Sequence, residues 1–290
     1  MDRIITISKD ELPSALGKQP DAPASLFMLA QEGFWQRLAA QPKVAVVGTR
    51  RPTAYGKHVT EQLVGDLVNN GVTIISGLAY GIDITAHRAA LRAGGTTVAV
   101  LPGPVDYVVP RTHANDARHI VEGGGALISE YASGTPTYRH NFVERNRIVS
   151  GLADVLLVIE ATEDSGTRHT IDFALDQGID TMAVPGPINS PASVGTNNML
   201  KGTAGLVTSA QDVLHALRLP DHQLSLGRKP PKAANKGEQL IIDLLEQGVT
   251  AGQQLRQRSG LRIEQYGHHM TMLEITARIR PLGADNWSLA

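Results

Sequence analysis

An α/β fold is predicted: a Rossmann-like, doubly wound, mostly parallel sheet followed by a small C-terminal winged-helix-like domain. Three observations lead there. Strand-length runs rich in Val, Ile and Leu alternate with helical stretches from about residue 43 to 218. The runs are continuously apolar rather than alternating, as strands covered on both faces must be. Nearly every run ends on Gly, Ser, Thr or a charged residue, the chemistry of a tight βα turn.

Taken in order, residues 1–42 read as a short helical or loop lead-in. Within a domain spanning 43–219, strands are expected at 44–47, 72–75, 97–101, 126–128, 154–159 and 181–184. Helices are expected at 56–70, 84–93, 145–152 and 169–177, which completes the βαβ alternation. Residues 220–237 contain Pro230-Pro231 and four basic side chains without apolar periodicity, so they read as a basic linker. In 238–290, Leu240, Ile241, Leu244 and Leu245 recur at core spacing. Helices at 238–246, 251–258 and 262–277, with 279–287 as a wing, give the winged-helix-like pattern.

The 290 residues carry 27 Lys and Arg against 28 Asp and Glu, a net charge of −1, which excludes a globally basic DNA-coating protein. Residues 1–220 are net −3, 221–237 net +3 and 238–290 net −1, so the C-terminal positive charge lies in the linker. The absence of cysteine excludes disulfides, thiolate nucleophiles and Cys-zinc sites. The ten histidines form no ligand cluster, and the adjacent His268-His269 pair is badly placed to face one ion. No metal and no cofactor are expected. Met1-Asp2-Arg3-Ile4-Ile5 lacks the apolar core of a signal peptide, and the apolar runs are too short to span a membrane. A cytoplasmic protein with no membrane partner is expected.

The glycines carry the functional information. Expected strands run into Gly48-Thr49-Arg50, Ser76-Gly77 with Gly81, Pro102-Gly103, Ser129-Glu130, Glu160 with Ser165-Gly166-Thr167, and Pro185-Gly186. Ligands of open α/β sheets bind beyond the carboxyl ends of the strands, where helix N-termini also favour phosphate. One such glycine is a turn; six on one edge make a binding site. The spacing from Gly48 to Gly56-Lys57-His58 is not a P-loop, and no G-x-G-x-x-G follows a strand. Both absences weigh against an NTPase or a dehydrogenase. The segment from Tyr138 to Arg147 mixes two rings, three guanidiniums and two amides at net +2. Arginine grips phosphate and an aromatic face takes an unstacked base, a combination suited to a single strand. A solvated helix start, with Arg145 and Arg147 paired to Glu144 and Asp154, is the competing reading.

Five ordered motifs then carry a resemblance. They are Val44-Ala45-Val46-Val47-Gly48-Thr49-Arg50; Ser76-Gly77-Leu78-Ala79 with Gly81-Ile82-Asp83 and Ala86-His87; Phe142 with Arg145-Asn146-Arg147-Ile148; Glu160-Ala161 with Ser165-Gly166; and Pro185-Gly186 with Gly195-Thr196-Asn197. Over residues 43–207 the chain resembles the DprA/Smf family, the DNA-processing proteins of bacterial natural transformation. The resemblance implies a homodimer that binds single-stranded DNA, protects it and loads the RecA recombinase on it. It implies a DNA pocket formed by Gly48, Thr49, Arg50, Ser76, Gly77, Gly81, Phe142, Arg145, Asn146, Arg147, Gly166 and Thr167, with Arg139 one helical turn before Phe142. Where the family reads Ser-Gly-Ser-Leu-x-Thr-Ala, this chain has Ser165-Gly166-Thr167-Arg168-His169-Thr170-Ile171-Asp172. Arg168 and His169 add positive charge there and Asp172 opposes it.

No catalytic residue is expected. Asp83 and His87, four apart and near Ser76, are spaced for a triad, but Asp83 reads more simply as a helix N-cap. Glu160 is expected to orient a donor such as Arg145 or Asn146. The alternative class is a nucleotide-processing enzyme resembling nucleoside-monophosphate phosphoribohydrolases, of whose Pro-Gly-Gly-x-Gly-Thr-x-x-Glu turn Glu163-Asp164-Ser165-Gly166-Thr167 is a partial echo. In the C-terminal module, Arg262 and Gln265 stand on the presumed reading helix. Its net negative charge favours docking, to the main domain or a protein partner, over DNA.

Overall fold

The computed structural model describes residues 3–163, 165–202, 204–218, 233–276, 278–283 and 285–289. The chain divides into two compact units, Met1–Gly227 and Arg228–Ala290. Among the described residues of the larger unit, nine strands form one sheet: β1 (Arg3–Ser8), β2 (Ser25–Ala30), β3 (Lys43–Val47), β4 (Thr73–Ser76), β5 (Thr97–Val100), β6 (Ala126–Ser129), β7 (Val155–Val158), β8 (Asp180–Ala183) and β9 (Gly205–Leu206). Their order is β1-β2-β6-β5-β4-β3-β7-β8-β9. The seven strands from β3 to β9 pair in parallel. This is the doubly wound sheet the apolar runs imply.

Helices α1 (Ser14–Gly17), α2 (Phe34–Ala40), α3 (Ala54–Asn69), α4 (Ile82–Arg92), α5 (Ala114–Glu122), α6 (Asn141–Glu144), α7 (Asn146–Gly151), α8 (Thr167–Asp176), α9 (Val194–Leu200) and α10 (Ala210–Ala216) cover the sheet. Strand β3 shows why its sequence is apolar throughout. Ala45 and Val47 pack into one layer with Leu16, Leu38 and Ile148, while Val44 and Val46 pack into the opposite layer with Leu63, Leu67 and Ala86. Alternate side chains thus serve opposite faces, and both faces are dry.

The lead-in expected over residues 1–42 is corrected here: it contributes two strands. β1 pairs antiparallel with β2, and β2 antiparallel with β6. Leu26, Met28 and Ala30 are buried, while the residues between them are only partly so. That alternation spans six residues between turns, too short to stand out from a lead-in. Helix α5 lies outside the expected helices; it buries Ala117, Ile120 and Val121 at helical spacing.

The smaller unit holds α11 (Lys236–Glu246), α12 (Gly252–Ser259), α13 (Ile263–Ile275) and a hairpin of β10 (Ile279–Gly283) with β11 (Asn286–Leu289). Ile241, Ile242, Leu245, Leu255, Met270 and Leu273 form its core. Leu240 faces outward instead. The buried Glu238 carboxylate takes Arg278 Nη1 at 2.8 Å. The linker expected at 220–237 lies largely outside the described residues, and no helix among the described residues is long and apolar enough to cross a membrane.

If β2 is a core strand, removing a buried side chain from it leaves a cavity. Met28→Ala is expected to lower unfolding free energy by about 2–5 kcal/mol in a urea titration. A loss below about 1 kcal/mol would place the strand outside the core.

Candidate functional site

From β3 the chain steps to β4 on one side, while β7 returns on the other, so the winding reverses between β3 and β7. Such a switch point leaves a crevice beyond the strand ends. A cleft of about 450 Å³ opens there. It is lined by Gly48, Thr49, Arg50, Gly77, Phe142, Arg145, Asn146, Gly166 and Thr167 among the expected residues, and by Arg51, Thr162, Ser165, His169 and Thr170 besides. Ser76 and Gly81 lie behind it, Arg139 lines a neighbouring cleft, and Arg147 faces away.

The segment from Arg139 to Arg147 divides by helical spacing into two faces. Inward, Asn141 Nδ2 donates to the Pro102 carbonyl at 3.1 Å. Arg145, 2% exposed, donates through Nη1 to the carbonyls of Gly77 and Val100, at the ends of β4 and β5. A Cβ on Gly77 would stand 2.5 Å from the Arg145 Cζ, so only glycine admits the guanidinium. Outward, Phe142 and Asn146 enter the cleft, and the exposed Arg50 guanidinium lies 5.8 Å from the Phe142 ring centroid.

Two expectations about arginine are thereby corrected. Neither Arg145 nor Arg147 is a free phosphate ligand, because burial forces each to satisfy its charge internally. Arg147 bridges Glu130 at 2.6 Å and Asp21 at 3.2 Å, tying the end of β6 to the N-terminal segment. The competing pairing with Glu144 and Asp154 is not formed either: Glu144 accepts from Tyr131, and Asp154 pairs with Lys43. Burial lowers the Arg145 pKa to about 10, opposed by the nearby Asp83 carboxylate.

Two carboxylates consume the turn amides that a bound anion would otherwise use. Asp83 Oδ2 accepts from the Gly77 and Ala79 amides at 3.1 and 3.4 Å. It is not the N-cap of α4; Gly81 is, at φ +86°. A Cβ on Gly81 would clash with the Thr49 carbonyl and the Arg50 backbone. Glycine there lets α4 approach the arginine loop. Glu160 accepts from the Thr53 amide at 2.9 Å and the Thr53 hydroxyl at 2.6 Å, rather than orienting Arg145 or Asn146. The Thr49 amide donates to the Glu160 carbonyl at 2.8 Å. Gly166, at the start of α8, remains open, with nothing within 4 Å of where its Cβ would stand.

The spacing of Ser76, Asp83 and His87 does not become a triad. Ser76 Oγ donates to the Val46 carbonyl at 2.6 Å. His87 Nδ1 lies 2.7 Å from Thr97 Oγ1, which itself donates to the Ile74 carbonyl, so Nδ1 carries the hydrogen. Burial, with Arg145 nearby, drops the His87 pKa to about 3. Asn197 closes a further motif by bonding the Gly186 amide and carbonyl at 3.1 and 3.0 Å. Among the described residues no cluster of three His, Asp or Glu side chains is spaced to hold a metal.

With this geometry in place, the comparisons with known proteins are specific. A model of the DNA recombination-mediator protein A family matches residues 3–218. The chain belongs to this family. Protein Smf of Escherichia coli (strain K12) is 40% identical over 221 residues, 76% of this chain and 58% of that protein. DNA processing protein A from Streptococcus pneumoniae superposes with a TM-score of 0.67 at 36% identity, covering 73% of this chain and 74% of that one. A structure of DNA processing protein A from Helicobacter pylori, reported for that protein's single-stranded DNA binding mode, superposes at 0.64 and 31% identity, covering 74% and 96%. The match spans 58% of the Escherichia coli protein and 43% of a putative DNA processing protein DprA of Mycobacterium tuberculosis, about half the length of these curated relatives.

Family membership and burial together separate scaffold from surface in the shared motifs. Arg51, adjacent to Arg50, is the cleft residue that sequence reasoning most clearly left out; its exposed neighbour on the same turn was the available signal.

Two outcomes follow. Arg145→Ala leaves two buried carbonyls and the Asp83 charge uncompensated, and is expected to cost about 2–4 kcal/mol in chemical unfolding. Arg50→Ala, on the surface, should stay within about 0.5 kcal/mol of the parent; equal losses would refute this division of roles. His87, neutral when folded, titrates near 6.5 once exposed. The unfolded chain therefore binds the extra proton, and stability should fall from about pH 6.5 toward pH 3, by up to about 1.4 kcal/mol per pH unit. Urea midpoints at pH 7 and pH 5, compared with those of His87→Asn, measure the His87 share; an identical slope in both proteins would remove it.

Proposed function

We propose that the cleft binds single-stranded DNA, and that the protein protects incoming DNA and loads the RecA recombinase on it during natural transformation and recombination. The observation that carries the DNA reading is the exposed Arg50 guanidinium set over the Phe142 ring at the mouth of the cleft. A phosphate ligand and a stacking face within one reach suit an unstacked strand, whereas a duplex hides its base faces. Arg50, Arg51 and Arg139 supply the exposed charge, and Phe142 takes a base. Gly166 leaves its backbone open to the strand, while Gly48 and Gly77 make room for Ile82 and Arg145 behind it. Ser76, Gly81, Arg145 and Arg147 hold that surface in shape. The single-stranded DNA binding of the Helicobacter pylori relative supports the reading.

The protein acts without catalysis, as a homodimer in the cytoplasm, in this proposal. The carboxylates of Asp83 and Glu160 are held by the chain's own amides and hydroxyl, which leaves them poorly placed as general bases. RecA loading and dimerisation rest on family membership. The smaller unit is assigned docking rather than DNA reading because residues 238–290 carry a net charge of −1.

Arg50→Glu is expected to weaken binding of a labelled oligonucleotide at least tenfold by fluorescence anisotropy, with the melting temperature kept. Unchanged affinity would remove the cleft from DNA binding. With three exposed arginines engaged, log affinity should fall with log salt at a slope of about −2. Release of adenine from AMP on incubation with the protein would overturn the non-catalytic assignment.

A further inference from the structure

Five of the six tyrosines of this chain stand on one edge of the sheet. Tyr55 follows β3, Tyr80 follows β4, Tyr107 follows β5, and Tyr131 and Tyr138 follow β6. These strands are neighbours in that order, so the rings form a row across the carboxyl ends. Tyr55, Tyr80, Tyr107 and Tyr138 are between 42% and 56% exposed. The core, by contrast, is aliphatic along this edge. Tyr55 donates to the Pro185 carbonyl, Tyr80 bonds Thr112 and edges onto His113, and Tyr131 donates to Glu144; Tyr107 and Tyr138 are the two whose exposure the core does not explain.

At the β5–β6 end the row borders a second cleft of about 630 Å³, whose walls include Asp106, Tyr107, Ser133, Tyr138, Arg139 and Phe142. Phe142 belongs to both clefts. The Arg111 guanidinium lies 4.9 Å from the Tyr107 centroid, and the rings of Tyr138 and His140 stack at 5.6 Å and 9°. The carboxylate here, Asp106, is engaged by the Ser133 hydroxyl. Exposed rings with cations beside them are what successive unstacked bases and their phosphates require.

We propose that this second cleft is a stacking subsite for the same strand. The nucleic acid leaves the first cleft over Phe142, sets bases against Tyr107 and Tyr138, and places phosphates beside Arg139 and Arg111. The inference rests on the single-strand reading above and extends its footprint beyond the pocket between β3 and β7. A strand too short to leave that pocket would not sense the tyrosines.

The experiment uses the full chain and labelled oligothymidylates of about 6 and about 20 nucleotides. The double variant Tyr107→Ala, Tyr138→Ala should bind the longer strand at least tenfold more weakly, with the shorter strand unaffected. Because a strand that leaves the subsite also gives up the phosphates beside Arg139 and Arg111, the salt slope for the longer strand should become shallower. The variant Tyr107→Phe, Tyr138→Phe keeps both rings and should restore binding. Unchanged affinity for the longer strand would overturn the subsite, as would equal weakening for both lengths. Arg50→Glu, tested in parallel on the shorter strand, reports separately on the first cleft. If that variant fails to weaken binding, the underlying reading fails rather than the extension alone.

Discussion

The buried Arg145 guanidinium is the interaction on which the site depends. It reaches the carbonyls of Gly77 and Val100, which close neighbouring strands β4 and β5, from a helix segment that follows β6. The carboxyl ends of two neighbouring strands are thus tied by one side chain to the segment that follows β6. The lock needs a glycine beneath it, and one guanidinium nitrogen, Nη1, donates to both carbonyls. Phe142 and Asn146 are held at the cleft because the adjacent Asn141 and Arg145 anchor the same segment to the carbonyls of Pro102, Gly77 and Val100.

Charge balance around this lock explains why so few residues are left for a ligand. Turns and helix starts crowd amide hydrogens at the strand ends, and burial makes each one costly unless it is bonded. Asp83 and Glu160 accept from three of these amides and from the Thr53 hydroxyl. Burial raises the Asp83 pKa and the Arg145 charge pulls it back. The two groups therefore stabilise each other's charged forms in a place where either alone would be expensive. Arg147 is neutralised in the same way by Glu130 and Asp21.

The layers, the parallel strands and the glycine-lined strand ends are legible because continuous apolar runs and turn glycines are local signals. Which arginine of the segment is buried is not. From Phe142, Arg145 and Asn146 are three and four residues on, and both spacings belong to one helical face. Only the glycine at position 77, and the carbonyls beyond it, decide that Arg145 turns inward. Both are distant in sequence. The N-terminal strands were missed for a different reason: β2 is covered in alternation over six residues, a pattern that acquires meaning only once β6 is there to pair with it.

The near-zero net charge takes on a different meaning from this arrangement. A total of −1 argues against indiscriminate polyanion binding, yet it counts buried and exposed charges alike. Arg145 and Arg147 contribute to that sum while facing internal partners, so the cations that meet a ligand are fewer than the sequence suggests. Coulombic attraction alone is then a weak source of affinity, because each exposed contact is screened by salt. Rings must supply the rest, and here the chain is selective: with only 4% aromatic residues, it sets most of its tyrosines along the binding edge and builds its parallel layers from aliphatic side chains. Stacking is available only to bases that are not already stacked in a duplex. The scarcity of free charge and the placement of the rings are the two features on which the proposed single-strand reading rests.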